Sequence, residues 1–110
     1  MISENQLEEF LKFFPEAEKA DEGGITYFFL PKLALPAGCT PQYVDALLCT
    51  SLRDGYQSRL FFTEAIKTPS PKTWTNNRIF DKNWFVYSWQ TSNNLSLLQK
   101  ILVHINSLTE

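Results

Sequence analysis

The sequence predicts a single α+β domain: an N-terminal helix, an antiparallel meander of three to four strands, and a C-terminal helix packed on the sheet. Three observations carry this. Apolar residues recur at helical spacing at both ends: Leu7, Phe10, Leu11 and Phe14 near the front, and Leu95, Leu98, Ile101, Leu102, Ile105 and Leu108 at the back. Between them, segments rich in β-branched and aromatic residues follow one another through short Pro- and Gly-bearing turns, with no helical pattern to connect parallel strands. The length, 110 residues, suits one domain spanning 1–110.

The elements follow in order. Ser3 is placed as the cap of the first helix, with Gln6 as its capping-box partner and Ile2 and Leu7 as a hydrophobic staple, and Pro15 ends the run. Residues 16–24 are acidic and close on Gly23-Gly24, the composition of a solvated connection. Residues 25–30 read as a strand, which Pro31 and Pro36 lead toward a sheet edge. The turn Pro36-Ala37-Gly38-Cys39-Thr40-Pro41 precedes a second strand over 43–52, and Arg53-Asp54-Gly55-Tyr56 precedes a third over 59–66.

Residues 67–82 are polar, with Pro69, Pro71, Asn76 and Asn77, and predict a long connection around Trp74; such loops are more often functional than idle. Residues 83–90 return to strand composition with aromatics on both faces. Ser92-Asn93-Asn94 supplies capping residues for the last helix.

Composition limits the function. With 44% hydrophobic and 15% aromatic residues, nine of them Phe, the chain can bury a core that offsets its entropy. No apolar run approaches the roughly 18 residues that cross a bilayer, so no membrane association is expected. Met1-Ile2-Ser3-Glu4 lacks the basic-then-apolar pattern of a signal peptide, which makes the cytoplasm the expected compartment. Residues 1–22 hold seven acids against Lys12 and Lys19, and the remainder eight basic residues against five acids. Neither part has the dense cationic stripe that duplex binding needs, so no nucleic-acid partner is expected.

Reactive groups are few. The only histidine, His104, falls near the edge of the last helix's apolar stripe and reads as a surface or boundary residue. A Cys–His nucleophilic pair would require Cys39 or Cys49 to reach it in space. Cys49 lies in an apolar strand and reads as a small buried hydrophobe, whereas Cys39 lies in a Pro-Gly turn where a thiol could be exposed and its pKa tuned. One His and two separated Cys make no metal site, and no phosphate loop, nucleophile elbow or paired carboxylates occur; no cofactor is expected. The densest unusual feature is aromatic: Trp74, Phe80, Trp84, Phe85, Tyr87 and Trp89, of which half-exposed members would anchor a protein partner.

Four segments carry a resemblance: Leu35-Pro36-Ala37-Gly38, Val44-Asp45-Ala46-Leu47-Leu48, Asp54-Gly55-Tyr56 before a phenylalanine-rich strand, and Trp84 to Trp89 before a leucine-rich helix. Over roughly residues 25–108 the chain resembles the prokaryotic E2-like proteins of the UBC superfamily, in particular the bacterial branch called family E. The resemblance implies a UBC-like sheet and a place in a bacterial ubiquitin-like conjugation system. It also implies a thiol after the sheet that carries the modifier, and here the chain departs. Tyr56 is followed by Gln57 where proline is favoured, no cysteine follows Cys49, and Asn76-Asn77 stands without the His-Pro-Asn segment. The reading that fits is a non-catalytic E2-like module binding a ubiquitin-like modifier or an activating enzyme, with Trp74, Tyr56, Trp84 and Trp89 as partner-binding residues. The alternatives are a thioester carrier using Cys39 and an unrelated structural or regulatory interaction subunit.

Overall fold

The computed structural model describes residues 4–50, 55–91 and 94–110. Its elements are α1 (Glu4–Phe13), β1 (Glu18–Glu22), β2 (Ile25–Ala34), β3 (Tyr43–Cys49), β4 (Arg59–Phe62), β5 (Thr75–Ile79), β6 (Lys82–Val86) and α2 (Leu97–Ser107). The strands form one antiparallel sheet in the order β1-β2-β3-β4-β6-β5, which curls into a half-barrel. This corrects the expected fold: the sheet has six strands rather than three to four, and it is not the UBC-like sheet that the resemblance implied.

The two strands that composition hid are the edge strands. β1 reads Glu-Lys-Ala-Asp-Glu and β5 reads Thr-Asn-Asn-Arg-Ile, so neither carries the apolar alternation that marks a half-buried strand. Charge and polarity on an exposed edge also discourage pairing with another chain. Gly23 and Gly24 are a hairpin turn rather than part of a loop. They lie between the paired residues Glu22 and Ile25 with φ of 60° and 79°, the backbone of a type I′ turn that glycine adopts freely. The equivalent turn between Ile79 and Lys82 uses Phe80 and Asp81, at φ 52° and 58°, and has no glycine to announce it.

Both faces of the sheet are buried, in different ways. Along β3, Val44, Ala46 and Leu48 enter one core cluster while Leu47 and Cys49 enter another. The first cluster also holds Phe10 of α1 and Leu97, Leu98 and Ile101 of α2, so both helices cover the same face. The second contains no helical residue; the curl of the sheet closes it. Tyr27 meets Phe80 edge-on at 5.4 Å, Phe29 meets Trp84 at 6.5 Å, and the Phe80 N–H donates to the Glu22 carboxylate.

The helices are set by their apolar faces. Phe10 is fully buried against Phe14 and Phe28, with ring centroids at 5.1 and 5.3 Å, while Leu7 and Leu11 pack beside it. Ser3 lies outside the described residues. Gln6, expected as its capping partner, accepts a hydrogen bond from the Leu97 N–H at 3.3 Å and so joins the start of α2 to α1. The cap of α2 is Ser96, in a reciprocal capping box with Gln99, whereas the expected Ser92 and Asn93 lie outside the described residues. The face of α2 is also rotated from the expected stripe: Leu102 is 43% exposed and His104 is buried. The turn residues Arg53 and Asp54 fall outside the described residues, and the strands expected over 43–52 and 59–66 are described as β3 and the four-residue β4.

Candidate functional site

A concavity lies where α1 hands over to the sheet. Strand β1 pairs with β2 only as far as Phe29, opposite Glu18, so the next stretch of β2, residues 30–34, has no strand on that side. There the chain leaving α1, residues 13–17, crosses beside it and encloses an open-sided groove of about 300 Å³. Its wall is mainly apolar, from Phe13, Phe14, Pro15, Leu30, Pro31 and Leu33, with Glu16 and Lys32 as its charged residues. Phe13 is 66% exposed, the most exposed large apolar side chain among the described residues.

A bulge shapes this edge. The register slips between Leu30, opposite Ala46, and Leu33, opposite Val44, so Pro31 and Lys32 together face Asp45. Pro31 has no N–H to offer, and the Lys32 N–H, at φ 51°, donates to the Asp45 carboxylate at 2.9 Å. A partner strand finds little backbone here to pair with. The groove offers apolar volume for a side chain.

A second feature is polar and sealed. The Ser58 hydroxyl is 2.8 Å from His104 Nε2 and 2.6 Å from the Thr91 hydroxyl, and all three residues are buried. Burial pulls the His104 pKa down to about 4, with the Arg59 charge adding to the effect and the Ser58 contact opposing it. One turn on, the Ser107 hydroxyl donates to the His104 carbonyl at 2.7 Å and also meets the Tyr87 hydroxyl. A serine beside an imidazole suggests a nucleophile and base, but Ser58 has no exposed surface. The arrangement binds α2 to the sheet and satisfies buried polar groups.

Cys39 is 5% exposed inside the core cluster, and burial pushes its thiol up, opposite to the direction that activates a carrier thiol. Cys49 is fully buried. Among the described residues no group of three or more His, Cys, Asp or Glu could hold a metal ion. No helix among them is long and apolar enough to cross a membrane.

The aromatic residues expected to bind a partner divide. Trp84 is 3% exposed, donates its indole N–H to the Ile79 carbonyl at 3.1 Å, and belongs to the interior. Tyr56 is half-buried beneath the Arg59 guanidinium, 4.4 Å from its ring centroid. Trp74 and Trp89 are half-buried and flank Tyr87, at 5.0 and 6.5 Å with interplanar angles of 80° and 74°. The Tyr87 hydroxyl is pushed up to about 12, first by burial, with Cys39 and Glu110 adding to the rise and the Ser107 hydrogen bond opposing it. Asn76 and Asn77, in the segment expected as a loop, pair with Phe85 and Trp84 in the β5–β6 hairpin.

Sequence reasoning missed the groove residues and the Ser58–Thr91–His104 group. Phe13 carried a signal, because it stands off the helical face that Leu7, Phe10, Leu11 and Phe14 define. Ser58, Thr91 and His104 carried none, since a contact between residues 33 and 46 positions apart has no local signature. No protein-family profile, no curated protein and no solved structure matches this chain.

Proposed function

We propose that this chain is a protein-binding module whose groove, between the end of α1 and the bulged edge of β2, receives a bulky apolar side chain from a protein partner. The observation that carries this reading is the exposed Phe13 beside an apolar groove of about 300 Å³, enough for one or two large side chains. The bulge favours insertion of a side chain over addition of a strand. The buried thiols and the sealed His104 offer nothing comparable to a reacting group.

The narrower proposal is that the partner belongs to a bacterial ubiquitin-like conjugation system, as its modifier or activating enzyme, and that the module works in the cytoplasm. It rests on the sequence resemblance and on two free cysteines held without a disulfide. The test is a peptide-display selection followed by nuclear magnetic resonance titration, with a ubiquitin-like protein and an activating-enzyme domain titrated in parallel. Selected peptides should carry a bulky apolar anchor, shift the amides of Phe13, Leu33 and Ala34, and lose at least about tenfold in affinity with Phe13→Asp. Binding that maps elsewhere, or that Phe13→Asp leaves unchanged, defeats the groove reading. A response to peptides without one to either conjugation component defeats only the narrower one.

A further inference from the structure

The groove sets a knob beside a hole on one surface. One wall is the chain leaving α1, which carries Phe13 and Glu16; the other is the bulged stretch of β2, which carries Lys32 and Leu33. Phe13 is 66% exposed, so a side chain suited to filling an apolar groove of about 300 Å³ stands on that groove's own rim. Glu16 and Lys32 are both exposed, and among the described residues no ion pair joins them. The groove thus has an acidic wall and a basic wall, and neither charge is spent on the other.

These features match a second copy of the chain. A two-fold contact uses one patch twice, so the patch has to be complementary to itself. Turning one copy over onto the other lays its 13–17 segment along the other's β2 wall, which carries Phe13 into the facing groove and Glu16 toward the facing Lys32. The same rotation makes the reciprocal contacts, so two apolar insertions and two opposite-charge contacts form together. The exposed edge of β1 offers no such match: with Glu18, Asp21 and Glu22 against Lys19 alone, two copies pairing there set acid against acid.

We propose that the groove is occupied by Phe13 of a second copy of this chain, in a two-fold dimer in which each copy fills the other's groove and Glu16 of each faces Lys32 of the other. The inference rests on the groove reading and adds its regulation: the dimer keeps both grooves closed, and a partner protein enters by displacing Phe13. The contact is small beside the surface that permanent dimers bury, so the dimer is weak, with a dissociation constant on the order of 100 µM. That weakness suits a plug, because the open fraction sets the apparent affinity for the partner and a modest advantage in anchoring is enough to displace it.

The experiment follows the full chain by sedimentation velocity and amide chemical shifts from about 10 µM to about 1 mM. The dimer should grow over that range, and dilution should shift the amides of Phe13, Leu33 and Ala34. Glu16→Lys and Lys32→Glu should each weaken association about tenfold, since each alters two contacts, and combining them should restore it to within about threefold of the parent. Near-ultraviolet circular dichroism verifies the fold of each variant. A chain that stays monomeric throughout, a dimer whose shifts map outside the groove, or a charge exchange that fails to restore association overturns the proposal. N-acetyl-tryptophan amide, titrated to about 20 mM into dilute Glu16→Lys, separates this outcome from the groove reading and should shift the same three amides. A monomeric chain that responds to this probe leaves the groove reading standing without the second copy, and a monomeric chain that does not respond removes both.

Discussion

Ser58 Oγ lies 2.8 Å from His104 Nε2 inside the core, where burial, against the pull of this contact, holds the only imidazole of the chain in its neutral form. His104 is 5% exposed and its pKa is lowered to about 4 from 6.5. Between those two values the unfolded chain binds a proton that the folded chain refuses. Stability from this group is therefore complete above about pH 6.5 and is lost as the pH falls toward 4. The gap, at about 1.4 kcal/mol per tenfold in proton affinity, amounts to about 3 kcal/mol. Urea denaturation at steps from pH 7.5 to 5 should show the loss begin, in a window where ordinary carboxylates are still ionised. His104→Gln should flatten it; a variant with the same slope as the parent would remove His104 as its source.

Removing the other half of the contact acts differently. Ser58→Ala leaves the His104 ring and the Thr91 hydroxyl short of a buried partner, at a cost of about 1–3 kcal/mol. The loss should appear at pH 7.5, where His104 is neutral in both states. Equal stability of Ser58→Ala and the parent in urea would mean that the network contributes nothing.

How far the sequence announces this fold depends on whether an element advertises itself locally. The helical spacing of Leu7, Phe10, Leu11 and Phe14 located α1, and the apolar runs of β2 and β3 located the centre of the sheet. β1 and β5 went unseen because an edge strand in contact with water needs no apolar alternation, and because Phe80-Asp81 makes a hairpin turn without the usual glycine. The curl was equally silent: it depends on Tyr27 meeting Phe80 and Phe29 meeting Trp84 across more than fifty positions of chain. At the candidate groove, Pro31 was legible as a disruption of β2, but the bulge against Asp45 and the exposure of Phe13 are properties of packing.

The β5–β6 turn offers a direct test of its backbone. Asp81, at φ 58°, holds a conformation that L-residues adopt at a cost and that glycine adopts freely. Its ion pair with Arg78, 3.1 Å long and exposed, contributes little. Asp81→Gly should stabilise the chain by about 0.5–1 kcal/mol and raise the thermal midpoint by a few degrees. Phe80→Gly should do the reverse, since it deletes the ring that meets Tyr27. A lower midpoint for Asp81→Gly would count against the turn as described.

The thioester-carrier alternative makes a prediction about labelling. With Cys39 5% exposed and Cys49 fully buried, a thiol reagent reaches either sulfur only when the structure opens. Labelling of the native chain should be at least about a hundredfold slower than in urea, with the raised pKa of Cys39 slowing it further. Incubation with an activating enzyme and a modifier should yield no reductant-sensitive adduct. Rapid labelling at Cys39, or an adduct lost on Cys39→Ser, would restore the alternative.

Trp84 and Phe13 should exchange the roles that their chemistry first suggests. Trp84 is buried, its indole N–H is spent on Ile79, its ring meets Phe29, and the Lys82 ammonium lies 5.6 Å from the ring centroid. Trp84→Ala should cost about 3–5 kcal/mol as a cavity in the curled face. It should leave groove binding intact in whatever fraction remains folded. Phe13, exposed at the groove, should tolerate Asp with a stability change within about 0.5 kcal/mol and lose the partner instead. Paired denaturation and binding curves for the two variants separate these effects, because a residue that shapes the core moves the first and a residue that meets a partner moves the second. If Trp84→Ala were to weaken binding with the fold unchanged, the binding face would lie on the curled side of the sheet.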